Sequence, residues 1–336
     1  MEATTASGIR RILVPLDGSF FAEQALPYAK AIGGPETELI LLEVAPPAEP
    51  VRGLLGNVLV TAEEVRQSYD EGIETALETT RRAWLGERPH VRMETAIGDA
   101  AEEVLRVAER ESVDLIVMAS HGRGAIGRWV IGSVADRVAR TSLIPVMVMR
   151  PQEEMPTEPG RCEIRRLIVP LDGSELAEQA LPFVEVLAAS LHVPVLLVTV
   201  TDIVHDIARA TAYGMPFRQE VYDELVAGAR TKASDHLDGA ASRLRRSGLE
   251  VSAQVLDGQA ADAIANRAEP TDVIVMTSHG RGGLRRWLIG SVAEKLVREG
   301  PVPVILVPST IRRQVLEPRR DAAVIGGLAG AVAATG

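Results

Sequence analysis

Residues 11–24 read RILVPLDGSFFAEQ, and residues 166–179 read RLIVPLDGSELAEQ. Each is an apolar run that stops at Pro-Leu-Asp-Gly-Ser and then changes to helical spacing, as a buried parallel strand does when it hands over to a helix. A second pair repeats the relation. Ser120 to Asp136 reads SHGRGAIGRWVIGSVAD, and Ser278 to Glu294 reads SHGRGGLRRWLIGSVAE. One unit therefore occurs twice, over roughly residues 9–150 and 164–308. A chain of 336 residues has room for both, at about 150 residues per domain. The expected division is a first domain over 1–150, a linker over 151–163 carrying PQEEMPTEPGR, a second domain over 164–310 and a tail over 311–336.

Within the first unit, strands are expected at Ile9 to Leu16, Glu38 to Ala45, Val91 to Ile97, Asp114 to Ala119 and Ile144 to Met149. Their continuous Ile, Leu and Val content suits strands buried on both faces. Ala22, Ala25, Leu26, Ala29 and Ile32 recur at helical spacing behind Ser19, which reads as the N-cap. Pro27 falls inside that helix and Pro182 inside its copy, and an interior proline costs about 3 kcal/mol, so a kink or an early break is expected there. Strands alternating with helices give an α/β fold, two tandem doubly wound domains each on a parallel five-stranded sheet.

Composition narrows the function. Lys and Arg number 36 against 46 Asp and Glu, a net charge of -10 that repels a phosphate backbone, so nucleic acid is not an expected partner. Cys162 is the single cysteine, which excludes an intrachain disulfide and a cysteine-cluster zinc site. The chain opens on no charged-then-apolar leader, and the cytoplasm is the default expectation. Lys30, Lys232 and Lys295 all stand away from any glycine-rich loop, so the lysine-bearing phosphate loop of common ATPases is absent.

In an open parallel sheet, ligands bind beyond the carboxyl ends of the strands, near the point where strand order reverses. Two loops bring suitable chemistry there. Pro15-Leu16-Asp17-Gly18-Ser19, with its copy Pro170 to Ser174, offers a carboxylate able to accept from ribose hydroxyls or a base amine, or to hold a metal-bound water. The same residues also spell a plain Asp-Gly-Ser turn that starts a helix. Ser120-His121-Gly122-Arg123-Gly124, followed by Gly132-Ser133 at a helix start, offers glycines that admit phosphate oxygens and a helix N-terminus that attracts them. Ser278 to Gly282 and Gly290-Ser291 repeat it. The formal GxGxxG in Gly122 to Gly127 follows the fourth strand instead of the first, and its copy ends in Arg285, which argues against a dinucleotide site. His121 and His279 lack companion ligands and read as hydrogen-bonded structural histidines, while Arg123 and Arg281 read as phosphate partners or solvated loop residues. Trp129 and Trp287 read as packing residues.

At these loops the sequence resembles the universal stress protein family over nearly its whole length. The nucleotide-binding branch of that family carries Gly-x2-Gly-x9-Gly followed by Ser or Thr. Gly122 with Gly132-Ser133, and Gly280 with Gly290-Ser291, fit the second and third glycines, whereas Ala119 and Thr277 stand at the first. A Cβ there can hold a ligand away or exclude a glycine-only conformation. The resemblance implies that Asp17 and Asp172 face adenine or ribose, that Val44 and Val200 line the adenine pocket, and that the glycines with Ser133 and Ser291 hold phosphates. Pro15, Met118, Ala119, Arg123 and Val134 complete the implied first site, and Pro170, Met276, Thr277, Arg281 and Val292 the second. ATP is the implied ligand, with Mg2+ accompanying its phosphates.

Three functions compete: a regulatory stress-response protein that binds ATP in both domains, a member that binds no nucleotide and acts as an interaction module, and a slow ATP hydrolase using Asp17 or Asp172. No acid-base constellation supports the third. The fifth strands, ending in Met149 and Val307, are apolar sheet edges that need covering, with Pro145 and Pro303 at their starts. The resemblance implies that they pair antiparallel, making the two halves an internal pseudo-dimer; further self-association into a homodimer stays open. The tail DAAVIGGLAGAVAATG is too short for a bilayer span of about 20 residues and reads as frayed or loosely docked.

Overall fold

The computed structural model describes residues 8–52, 57–121, 131–151, 162–202, 219–278 and 289–309. The first repeat runs β1 (Arg11–Leu16), α1 (Phe20–Glu23), α2 (Leu26–Ile32), β2 (Glu38–Ala45), β3 (Val51–Arg52), β4 (Val58–Val60), α3 (Ala62–Leu85), β5 (Val91–Ile97), α4 (Ala100–Arg110), β6 (Leu115–Ala119), α5 (Ser133–Thr141) and β7 (Val146–Met149). The second runs β8 (Arg166–Pro170), α6 (Glu175–Glu178), α7 (Leu181–Leu191), β9 (Val195–Thr201), α8 (Gln219–Arg246), β10 (Val251–Asp257), α9 (Ala260–Arg267), β11 (Asp272–Thr277), α10 (Ser291–Glu299) and β12 (Val304–Val307).

Local chemistry explains the element ends. The helix after β1 breaks where proline requires it: α1 ends at Glu23, and α2 restarts at Leu26 with Pro27 in its first turn, where a missing N–H costs nothing. Pro182 does the same in α7. Thr61 caps α3 through a capping box with Glu64, and Asp99 caps α4 by accepting from Glu102 N. Four strands start later than their apolar runs, β1 at Arg11, β6 at Leu115, β7 at Val146 and β12 at Val304. Pro145 and Pro303 stand just before β7 and β12 and have no N–H for a ladder. Before β6, the Asp114 carboxylate accepts from Arg10 N and Arg11 N. The short β3–β4 hairpin, which pairs Val51 with Val60, was not expected from the sequence.

All strands but that hairpin form one ten-stranded sheet, in the order β10-β9-β8-β11-β12-β7-β6-β1-β2-β5. Each repeat contributes a parallel sheet whose order reverses between its first strand and its fourth, at β1/β6 and at β8/β11. The expected edge pairing is present: β12 and β7 run antiparallel, with Val304 opposite Val148, Ile305 opposite Met147 and Leu306 opposite Val146. Neither apolar edge is left open.

Alternation along the strands divides the core into two layers. Ile12, Val14, Leu115, Val117 and Ala119 face one layer, shared by α1–α3 with α6–α8; Leu13, Ile116 and Met118 face the other, shared by α4, α5, α9 and α10. Both layers hold residues from both repeats, so the apolar core is continuous across the seam. No helix among the described residues is long and apolar enough to cross a membrane.

Candidate functional site

The first crevice begins where β1 ends. Gly18 has φ 69 and Gly173 φ 80, left-handed conformations that put glycine between the Asp and the Ser of each turn. Asp17 Oδ1 accepts from Ser19 N at 3.0 Å and from Ser19 Oγ at 2.6 Å, and Ser19 Oγ accepts from Ala22 N at 3.2 Å to cap α1. Asp172, Ser174 and Ala177 repeat this with distances of 3.0, 2.6 and 3.1 Å. The helix-starting turn is thus present in both repeats. It also fixes each half-buried carboxylate at the carboxyl end of the strand beside the reversal point. Pro15 and Pro170 are half-buried just ahead of it.

The other wall is the end of β6. Ser120 N donates to Met149 O at 2.7 Å, and Gly132 N donates to Ser120 O at 2.7 Å, drawing the start of α5 onto the strand end. In the second repeat Ser278 N donates to Val307 O at 3.0 Å, and Gly290 N to Ser278 O at 2.8 Å. A Cβ on Gly132 would lie 3.2 Å from Ser120 O and 3.4 Å from His121 Cα, so glycine permits this approach by its size. Gly132 and Gly290 are the N-caps of α5 and α10 and give them no side-chain cap. A helix start of this kind presents first-turn N–H groups and the positive end of the dipole to whatever fills the crevice. Ser133 and Ser291, the first helical residues, are exposed.

Around that start the side chains are apolar. Val44 and Val134 in one repeat, and Val200, Met276 and Val292 in the other, are half-buried against the layer of α4, α5, α9 and α10. Met118 is buried in that layer, and Ala119 is buried on the opposite face. Ala119 and Thr277 close β6 and β11 and are not among the described residues with positive φ. Neither residue therefore stands in a backbone conformation that only glycine adopts readily.

His121 Nδ1 lies 2.8 Å from Ser120 Oγ, and its ring packs beside Phe21. Burial, with a smaller contribution from Arg150, lowers its pKa and favours the neutral imidazole. The hydrogen bond that the sequence suggested for this histidine is present in the first repeat. Gly122, Arg123, Trp129, His279, Gly280, Arg281 and Trp287 lie outside the described residues, as do linker residues 152–161 and the tail. Among the described residues, no group of three or more His, Cys, Asp or Glu side chains is placed to hold a metal ion.

Residue-by-residue reading missed the outer rim, where the repeats diverge. In the first repeat, β2 and β5 end in Ala45 and Ile97, and Ile97 is 41% exposed. In the second, β9 and β10 end in Thr201 and Asp257. Thr201 Oγ1 donates to Asp257 Oδ1 at 2.9 Å, and Arg230 on α8 donates to the same carboxylate. The Arg230 hydrogen bond holds the Asp257 carboxyl below its usual range. Aligning the two copies beyond the Asp-Gly-Ser and Ser-His-Gly segments would have shown this pair. The Ser120 and Ser278 carbonyls were also missed, because backbone acceptors leave no mark in side-chain identity.

Comparison with known proteins supplies the wider setting. The model of the universal stress protein family matches residues 8–150 and again 163–308. A universal stress protein of Mycobacterium tuberculosis H37Rv is 28% identical over 193 residues, 57% of this chain and 61% of that relative. This match covers less than two thirds of the relative's own length. A universal stress protein of Mycolicibacterium smegmatis is 24% identical over 300 residues, 88% of this chain and 96% of that one. A solved universal stress protein structure from Archaeoglobus fulgidus shares the fold with a TM-score of 0.56, at 21% identity, over 89% of this chain and 98% of that one.

Proposed function

The chain belongs to the universal stress protein family, and on that premise we propose that it binds adenine nucleotide, ATP with its Mg2+, where strand order reverses, and acts as a regulatory protein. The observation that carries the reading is the glycine-capped start of α5, held 2.7 Å from the end of β6 by the Gly132–Ser120 hydrogen bond. An uncapped helix start beside a close-approach glycine suits phosphate oxygens without a lysine. Asp17, held by its turn, would accept from ribose hydroxyls or the base amine, and Val44, Met118 and Val134 would form an apolar flank for adenine. Ser133, with Gly122, Arg123 and Gly132, would hold the phosphates, and Mg2+ would neutralise part of their charge. Pro170, Asp172, Val200, Met276, Gly290, Ser291 and Val292 give the second repeat the same frame, with Gly280 and Arg281 at the matching sequence positions.

Binding energy from such a site stabilises whichever arrangement of the domains or partner surface accommodates the ligand. The test is to denature the purified chain and identify released small molecules by mass spectrometry. Adenine nucleotide in stoichiometric amount supports the reading. A second reading, an interaction module that carries no nucleotide, is favoured by Ala119 and Thr277 at the glycine position. It predicts that nothing is released and that added ATP gives no heat.

A further inference from the structure

We propose that the outer edge of β10 is an association surface for a second copy of this chain, which pairs its own β10 antiparallel to it about Gln254. β10 and β5 end the ten-stranded sheet, each paired on one side only among the described residues. Val195 N donates to Glu250 O at 2.9 Å and Gly258 N to Thr201 O at 3.0 Å, so the even-numbered residues of β10 turn their backbone groups to β9. Val251, Ala253, Val255 and Asp257 therefore turn theirs outward. Arg245 covers one end of this row, its Nη2 donating to Val251 O at 2.8 Å. Ser252, Ala253 and Gln254 are exposed, which leaves the middle of the edge open to another strand.

The corresponding strand of the first repeat is guarded. Leu39 pairs with Val91 as Val195 pairs with Val251, which puts Arg92 and Glu94 where Ser252 and Gln254 stand. Arg92 binds Glu111, and Arg110 binds both Glu94 and Glu111, so charged side chains run along that edge. Pairing β5 with its own copy over the whole strand would set Glu94 against Glu94. On β10 the uncharged Gln254 takes that place, its Oε1 accepting from Arg267 Nε at 2.9 Å while Arg267 also meets Glu269.

A second copy fits because the strand is complementary to itself. Matched over all of Val251–Asp257, two antiparallel β10 strands place Gln254 beside its counterpart on the two-fold axis. Ala253 then meets Val255 of the second copy, and Val255 its Ala253, each pair exchanging both N–H···O bonds. At each end Asp257 of one copy comes to the place where Arg245 of the other covers the edge, opposite charge to opposite charge. The chain already closes its two apolar edges by the same antiparallel pairing, of β12 with β7.

The experiment is sedimentation velocity of the full chain over a concentration series, with far-UV circular dichroism to show that each variant is folded. The expected result is a concentration-dependent dimer in the wild type. Gln254→Glu, at an exposed position, sets two carboxylates together on the axis and should weaken association about fivefold to tenfold. Ala253→Pro removes an outward N–H from each copy while sparing the ladder to β9, and should weaken association about tenfold to hundredfold. The register is read separately by cross-linking. In a Cys162→Ala chain, Gln254→Cys should give a disulfide-linked dimer under copper-phenanthroline oxidation, because directly opposed Cβ atoms lie about 4.5–5.5 Å apart, whereas Glu94→Cys should not. A wild-type chain that stays monomeric throughout, a dimer unmoved by either Gln254→Glu or Ala253→Pro, or cross-linking through position 94 and not 254 would overturn the inference.

Discussion

Glu23 and Glu178 occupy one position in the repeated segment, yet the structure assigns them very different weights, and this difference can be measured. Glu23 ends α1, the helix that starts from the Asp17 turn. Its carboxylate accepts from Thr80 Oγ1 at 2.7 Å and from Trp84 Nε1 at 2.9 Å, tying α1 to the long helix α3. Thr80 is 8% exposed and Trp84 is 7%, so neither donor can turn to water if the carboxylate is removed. Hydrogen bonds to a charged group contribute about 1.5–3 kcal/mol each, and a buried donor left unpaired costs about 1–3 kcal/mol. Taking the lower end for each donor, Glu23→Ala should cost about 3 kcal/mol. Glu178 instead meets Arg243, whose side chain is 48% exposed, and His236 at 3.5 Å. A pair of that exposure contributes about 0–1 kcal/mol, and so should its loss in Glu178→Ala. Urea unfolding followed by far-UV circular dichroism gives both values, and tryptophan fluorescence reports the Trp84 environment in the first variant. Equal costs, or a larger one for Glu178→Ala, would refute the reasoning that burial of the donors decides the matter.

Two further outcomes follow from the seam and from the one cysteine. Ile305 is fully buried opposite Met147 where β12 meets β7, so Ile305→Ala should cost about 3 kcal/mol, and because both core layers cross the seam, calorimetry of the wild type should give one unfolding transition. Two resolved transitions would mean that the repeats unfold independently. Burial raises the Cys162 thiol from 9.0 to about 12, and burial followed by the neighbouring Cys162 charge raises the Tyr28 phenol from 10.0 to about 12. Both groups keep their protons longer in the folded chain, so their contribution is full below about pH 9 and is lost as pH climbs towards 12. The urea midpoint should fall over that window, and Cys162→Ala with Tyr28→Phe should flatten the fall; an unchanged slope would contradict it.

Much of the fold could be read because it is written locally and twice. The strand that ends in Pro-Leu-Asp-Gly-Ser, the Ser19 cap, the break at Pro27 and the helix start at Gly132 each follow from a few neighbouring residues. The antiparallel seam was anticipated from the family resemblance and from edges too apolar to leave open. What escaped depends on residues far apart in sequence. The link from Glu23 to Trp84 joins positions 61 apart and has no periodicity to betray it. The β3–β4 hairpin is only two and three residues on its strands, below the length at which alternation can be recognised. The late start of β6 reflects Asp114, whose carboxylate is spent on the backbone of Arg10 and Arg11 in another strand's approach.

Titration calorimetry of MgATP into the chain, emptied of small molecules, decides whether it responds to adenine nucleotide. Saturable heat is expected from the wild type, abolished by Ser133→Glu, together with a melting temperature that rises with ATP concentration as mass action requires. No heat and an unmoved melting temperature at saturating MgATP, in a chain shown to be folded, would contradict it.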